Sequence, residues 1–168
     1  ITVKCSYDSP NKIGSDRWAA LVGLAHIDPP VANLNKNSSE IFLVSAGTAT
    51  VIDRIFWKKI SSRNYIYELK GGMIIPGFTK MLSDMEFINF NKTKKGNLSH
   101  YPKNTIDAIK SGVSLCQVSF GNFNNGTVVA HGGSSNDWIE AYNFYCKNDT
   151  EVLNFPWVIF EGLYLINE

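Results

Sequence analysis

A chain of 168 residues, 44% apolar and 12% aromatic, is long enough and apolar enough to bury one well-packed core, which excludes a disordered tail. Its formal net charge is +1, from 16 Lys and Arg against 15 Asp and Glu, so it offers no electrostatic footprint for nucleic acid or an anionic membrane surface. Three cysteines, Cys5, Cys116 and Cys146, lack C-x-x-C spacing, which suggests neither a disulfide framework nor a zinc site and fits a reducing cytoplasm. Neither a membrane-length apolar run nor a signal peptide is read, and the sequons at Asn91 and Asn125 are read as unmodified.

In chain order, Ile1 to Lys4 alternates like the end of a strand entering a turn from Tyr7 to Pro10. The first residue is Ile, so the chain reads as starting in mid-protein. Gly14-Ser15-Asp16-Arg17 then sets an acidic and a basic side chain side by side ahead of Trp18, Ala19, Leu21, Val22, Leu24 and Ala25. That apolar run predicts a helix from about Asp16 to His26. Ser15 or Asp16 would cap it, leaving N–H groups where a small anion can dock. The bland alternative is that Asp16 only caps and Arg17 only pairs with a surface carboxylate.

Asp28 to Glu40 has loop composition. Ile41 to Val44 and Thr50 to Trp57 are β-branched or aromatic runs split by Ser45-Ala46-Gly47-Thr48, which predicts a hairpin. Its small residues let backbone N–H groups approach a ligand, as a phosphate loop requires, or make an ordinary tight turn. Arg54 to Trp57 and Tyr65 to Leu69 predict a second hairpin around Lys58 to Asn64, ended by Gly71-Gly72. Pro76 would then stand at the entry to a helix from about Gly77 to Phe87. Asn89 to Lys103 reads as a polar loop in which Lys92, Lys94 and Lys95 make a solvated cluster.

Ile106, Ile109, Val113, Cys116 and Phe120 recur at helical steps, which marks an amphipathic helix through about Asn122, capped by Asn104 or Thr105. Thr127 to Ala130 predicts a buried strand that delivers His131-Gly132-Gly133-Ser134 to a helix from Asp137 to Tyr145. Strand, glycine turn and helix suit a nucleotide, and equally a plain β–α connection. Trp157 to Phe160 reads as a strand end and Glu161 to Ile166 as the last helix. His26, His100 and His131 lack metal-ligand spacing and read as surface or packing residues. The alternation as a whole predicts a single α/β domain over residues 1–168, a mixed β-sheet flanked by helices.

Tyr7, Pro10, Gly14, Asp16, Arg17 and Trp18, then Ala46-Gly47-Thr48-Ala49 with Asp53, then Gly71-Gly72-Met73-Ile74-Ile75-Pro76-Gly77, resemble in order and spacing the type III pantothenate kinases. That family includes the Bvg accessory factor proteins. Asn104-Thr105 with Ser111-Gly112, and Gly132-Gly133 followed by Glu161-Gly162-Leu163, agree. The resemblance implies an actin-like, ribonuclease-H-like lobe, the carboxy-terminal one of a two-lobed kinase of the acetate/sugar kinase-Hsp70-actin type. The family's amino-terminal lobe, with its Asp-x-Gly-Asn-Thr phosphate loop, is not among these residues.

The same resemblance implies ATP-dependent phosphorylation of pantothenate to 4'-phosphopantothenate, the first step of coenzyme A biosynthesis, with Mg2+ on the nucleotide. Asp16 would be the proton acceptor and Arg17 a fork of donors for the substrate carboxylate. Tyr7, Gly14, Ser15 and Thr105 would lie along pantothenate, and Gly47, Thr48, Gly132 and Gly133 along ATP. Ser45 stands where the family's Asp-x-Gly-Thr motif has the aspartate that binds a monovalent cation, K+ or NH4+, and a hydroxyl is a far poorer cation ligand. Val51 stands where relatives commonly carry threonine. A homodimer with the pantothenate pocket built across it, in the cytoplasm, is implied as well. The alternative, favoured by Ser45 and the missing phosphate loop, is a non-catalytic binding or regulatory protein of the Bvg accessory factor type that keeps the fold without turnover.

Overall fold

The computed structural model describes residues 1–27, 39–62, 64–85, 96–120, 123, 126–146, 150 and 152–167. Most of the expected loop from Asp28 to Glu40, the lysine cluster, Asn91 and Asn125 lie outside the described residues. The elements are β1 (Thr2–Cys5), α1 (Ser15–His26), β2 (Glu40–Ala46), β3 (Ala49–Ser61), β4 (Asn64–Pro76), α2 (Phe78–Asp84), α3 (Thr105–Val118), β5 (Thr127–His131), α4 (Ser135–Tyr145), β6 (Val152–Asn154) and α5 (Val158–Ile166).

The strands form one six-stranded sheet in the order β1-β4-β3-β2-β5-β6. β3 runs antiparallel to both neighbours, and the other pairings are parallel. This is the mixed sheet flanked by helices that the alternation predicts. The order β4-β3-β2-β5-β6, with its second strand reversed, is the ribonuclease-H-like arrangement implied by the resemblance. The carboxyl ends of β2, β4 and β5 therefore gather on one edge, beside the start of β3, which is where ligands of open α/β sheets bind.

Side-chain alternation divides the core between the two faces of the sheet. Ile41 and Leu43 of β2, Ile55 of β3, Tyr67 and Leu69 of β4 and Val129 of β5 pack against Ala20, Leu21 and Leu24 of α1 and Val158 of α5. Phe42 and Val44 of β2 and Val128 and Ala130 of β5 turn the other way, onto Ile109 and Val113 of α3 and Trp138 and Tyr142 of α4. α1 and α5 cross at two glycines. A Cβ on Gly23 would stand 2.0 Å from the Val158 carbonyl, and one on Gly162 would stand 1.8 Å from that of Ala19.

Several elements depart from expectation for local reasons. Neither Ser15 nor Asp16 caps α1; Gly14 occupies the cap position without a side-chain bond, and both acidic and hydroxyl residues fall inside the first turn. Gly71-Gly72 does not end the sheet. Gly71, at a φ of 154°, sits where the β3–β4 register shifts between Arg54 and Ile55, and the strand continues to Pro76. Glycine supplies the positive φ that the shift needs. Pro76 is accordingly the last strand residue; Gly77 caps α2, whose helical span ends at Asp84.

α3 stops at Val118, short of Asn122, and is capped by Asn104, whose side chain accepts from the Asp107 N–H. Trp157 to Phe160 is not a strand end: β6 lies earlier, and Val158 to Phe160 opens α5. The β-prone aromatics there are overridden by tertiary packing, the close approach of Gly162 to Ala19 on α1.

Candidate functional site

The site grows from a buried ion pair. Asp53 lies in β3 and is 2% exposed, and Arg17, in the first turn of α1, is 8% exposed. Asp53 Oδ1 accepts from Arg17 Nη2 at 2.5 Å and Oδ2 from Nε at 3.1 Å, the two-point geometry that makes Arg–carboxylate pairs directional. The Tyr7 hydroxyl also accepts from Nη2, and the Tyr7 ring lies 5.1 Å from the guanidinium carbon, within cation–π range. Gly72 stands opposite Asp53 on β4. A Cβ there would fall 2.2 Å from Asp53 Oδ1 and 3.1 Å from Arg17 Nη2, so the glycine makes room for the pair.

The hydrogen bonds that Arg17 donates to Asp53 hold its guanidinium above its ordinary value against the opposing effect of burial. Burial pushes the Asp53 carboxyl up, and the hydrogen bonds of Arg17 pull it back. The pair thus pins the start of α1 to the sheet at the binding edge. Asp16, beside it, is exposed. Its charge reaches both Asp53 and His131, which places a carboxylate at the mouth of the helix.

A second, neutral pair lies next to the first. Ser45 near the end of β2 and His131 at the end of β5 are register partners, and the Ser45 Oγ is 2.5 Å from His131 Nε2. His131 is 1% exposed, and burial pushes its imidazole down to about 4, so it is neutral at pH 7. Its Nδ1 has no hydrogen-bond partner among the described residues. Gly132 follows with a φ of 99°, and a Cβ there would lie 2.4 Å from the Ala46 carbonyl. Gly133 has open space around it.

The backbone between β2 and β3 is tied to its surroundings. The Ala46 carbonyl accepts from Ser134 N–H, that of Thr48 from Gly77 N–H and that of Ala49 from Gly47 N–H, and the Gly47 carbonyl packs against Gly77. Thr48 is exposed at the tip. Position 45 therefore does not fit the monovalent cation that the resemblance implies: its oxygen is neutral and bonded to a ring nitrogen, and the neighbouring carbonyls already face protein donors or backbone. Among the described residues no three His, Cys, Asp or Glu side chains cluster as a metal site. A Mg2+ arriving on a nucleotide needs only one or two carboxylates, and Asp16 is an exposed carboxylate on this edge.

The sheet edge thus brings together Tyr7, Gly14, Ser15, Asp16, Arg17, Gly47, Thr48, Ser45, Gly132 and Gly133. Thr105 stands apart. It is exposed at the start of α3, on the other face of the sheet, and Gln117 near the far end of that helix is the residue that reaches Pro76 and Thr50 at the binding edge. Twelve residues of helix at 1.5 Å each separate Thr105 from Gln117 by about 18 Å along the helix. The sequence offers Asp53 only within the resemblance and His131 only as a surface or packing residue, and neither as a site residue. A lone acid in the buried run Val51-Ile52-Asp53 is the signal that calls for a partner.

The fold is that of an actin-like, ribonuclease-H-like lobe. A family model described as type III pantothenate kinase matches residues 1–121, and the chain belongs to that family. Among curated relatives, the type III pantothenate kinase of Azoarcus sp. (strain BH72) is 31% identical over 116 residues, 68% of this chain and 38% of the relative. That of Bordetella pertussis is 30% identical over 112 residues, 66% of this chain and 37% of the relative. The chain therefore spans less than two fifths of the length of these relatives. A crystal structure of a conserved Baf family transcriptional activator from Campylobacter jejuni is similar with a TM-score of 0.60 at 22% identity, over 96% of this chain and 65% of the other, a likeness of fold. Among the described residues no helix is long and apolar enough to cross a membrane.

Proposed function

We propose that this chain is the carboxy-terminal lobe of an enzyme that transfers the γ-phosphoryl group of ATP to the primary hydroxyl of pantothenate. The observation that carries this reading is the helix mouth itself: Arg17 is locked onto buried Asp53 while adjacent Asp16 stays exposed. Asp16 would accept the hydroxyl proton as that oxygen bonds to the γ-phosphorus and the bond to the ADP oxygen breaks. The described bonds of the guanidinium run from Nε and Nη2, which leaves its Nη1 edge for the substrate carboxylate. Gly47, Thr48, Gly132 and Gly133 face the nucleotide, and Mg2+ carried on ATP offsets phosphate charge.

Thr105 lies on the far face of the sheet, so its contribution to a pantothenate pocket comes from a second copy, in keeping with a homodimer. A cytoplasmic location goes with the substrates. The second reading, a binding or regulatory protein without turnover, is favoured by one observation, the neutral Ser45 bonded to His131.

The deciding experiment uses the full gene product, with ADP release and calorimetric titration of pantothenate measured with ATP and Mg2+ for wild type and Asp16→Asn. Turnover that is lost in Asp16→Asn while pantothenate still binds supports the kinase. Binding without turnover in wild type supports the second reading, and absence of both overturns the two. Sedimentation velocity tests the dimer, and a monomer that turns over would overturn Thr105 as a pocket residue.

A further inference from the structure

We propose that the nucleotide side of this lobe is built to work without a monovalent cation, the Ser45–His131 hydrogen bond holding the place where a carboxylate would anchor one. The inference rests on the reading above, in which ATP binds at this edge of the sheet.

Hard cations are held by several oxygens, with carboxylates supplying the charge that offsets dehydration. Position 45 brings no charge, and its hydroxyl is 2.5 Å from His131 Nε2. The backbone oxygens around it are already turned to protein: Ala46 to Ser134 N–H, Thr48 to Gly77 N–H, Ala49 to Gly47 N–H, and Gly47 onto Gly77. Asp53, the nearest buried carboxylate on this face, is neutralised by Arg17. Asp16 sits at the helix mouth beside that pair and not on the β2–β3 turn. What holds β2 and β5 together at their ends is thus a neutral side-chain bond, together with the Gly132 turn whose backbone rests against Ala46. An added cation would find no carboxylate on the turn itself, Asp16 acting on His131 only from the helix mouth, and no turn carbonyl without a protein neighbour.

The test compares KCl, NH4Cl and choline chloride at equal ionic strength on the full protein, reading ATP affinity, ADP release and the melting temperature. Wild type is expected to agree within about twofold across the three salts, whereas a tenfold or greater gain in K+ or NH4+ overturns the proposal. Ser45→Asp is expected to acquire cation dependence, melting roughly 3–6 °C higher in KCl than in choline chloride when the ion binds at a tenth of its added concentration. If Ser45→Asp does not fold, the wild-type comparison still decides. If wild type binds no ATP, the functional reading fails separately. The melt of wild type then judges the cation inference alone: a rise specific to K+ or NH4+ overturns it, and equal melting in all three salts upholds it.

Discussion

The two halves of the binding edge are built on opposite principles. On the α1 side, Tyr7, Arg17 and Asp53 form a buried charged group whose position depends on directional side-chain bonds. On the β5 side, Ser45, His131 and the Gly132 turn are neutral, and the backbone itself does most of the positioning. Charge buried in one half can hold a helix mouth at a fixed angle, but only while both partners are present. Backbone contact in the other half tolerates the loss of a side chain better and fails when a Cβ is added. The contrast can be broken at graded cost.

The largest effect is expected from Asp53→Ala. Removing the carboxylate leaves the Arg17 guanidinium, 8% exposed, without its ion partner, and breaking one side of a buried pair costs about 3–5 kcal/mol. Urea unfolding should show the loss in the midpoint at unchanged slope. A cost under about 1 kcal/mol, the range of exposed pairs, would mean that the pair is solvated and does not pin α1.

Gly162→Ala comes next. Its Cβ would meet the Ala19 carbonyl at 1.8 Å, and backbone on backbone leaves no side chain to swing away. Overpacking of this kind costs about 1–3 kcal/mol, and α5 should lift from α1. Amide exchange would reveal this as faster exchange confined to these two helices. Uniform faster exchange across the sheet would argue against a local crossing.

Much of the sheet can be read from the sequence, because β2, β3 and β5 are rich in β-branched and other apolar residues and the apolar run of α1 is continuous. The pairing of Arg17 with Asp53 is not legible in the same way. It joins residues 36 apart, and a dipeptide followed by an apolar run carries no sign of which distant acid will face it. Gly71-Gly72 misleads for a related reason: glycine pairs usually stop a strand, but here one supplies a register shift and the other clears room for Asp53. Trp157 and Phe160 look like a strand by local preference. The contact that makes this stretch helical, Gly162 on Ala19, lies across the molecule.

On the neutral side, losing a side chain is expected to cost less than Asp53→Ala. Ser45→Ala leaves His131 Nε2 buried without its hydroxyl, which costs about 1–3 kcal/mol. His131 also gives stability a pH dependence. Its folded-state value, about 4, lies below the ordinary 6.5 because burial disfavours the charged ring. As pH falls below about 6.5 the unfolded chain takes up a proton that the folded chain refuses until about 4, so stability is lost across that window, by roughly 3 kcal/mol in full, and levels off below it. Above pH 7 the group contributes no slope. Asp53, pushed up by burial, works in the opposite sense at the acid end. Urea midpoints at pH 7.5 and pH 5 should differ for wild type and converge in His131→Gln. A slope that survives in that variant would place the titration elsewhere.

The smallest effect on stability is expected at the residue given the largest role in chemistry. Asp16 is exposed and lies in the first turn of α1, where a carboxylate gains about 0.3–1 kcal/mol from the helix dipole. Asp16→Asn should therefore melt within a few degrees of wild type while ADP release with pantothenate falls by about 100-fold or more, the loss of a general base. The two readouts divide because Asp16 is held in place by its neighbour and not by bonds of its own: Arg17 and Asp53 fix the helix mouth, and Asp16 rides on it. If Asp16→Asn instead unfolded the protein as Asp53→Ala does, the carboxylate would belong to the structural half of the edge, and the division between a group that positions and a group that reacts would fail.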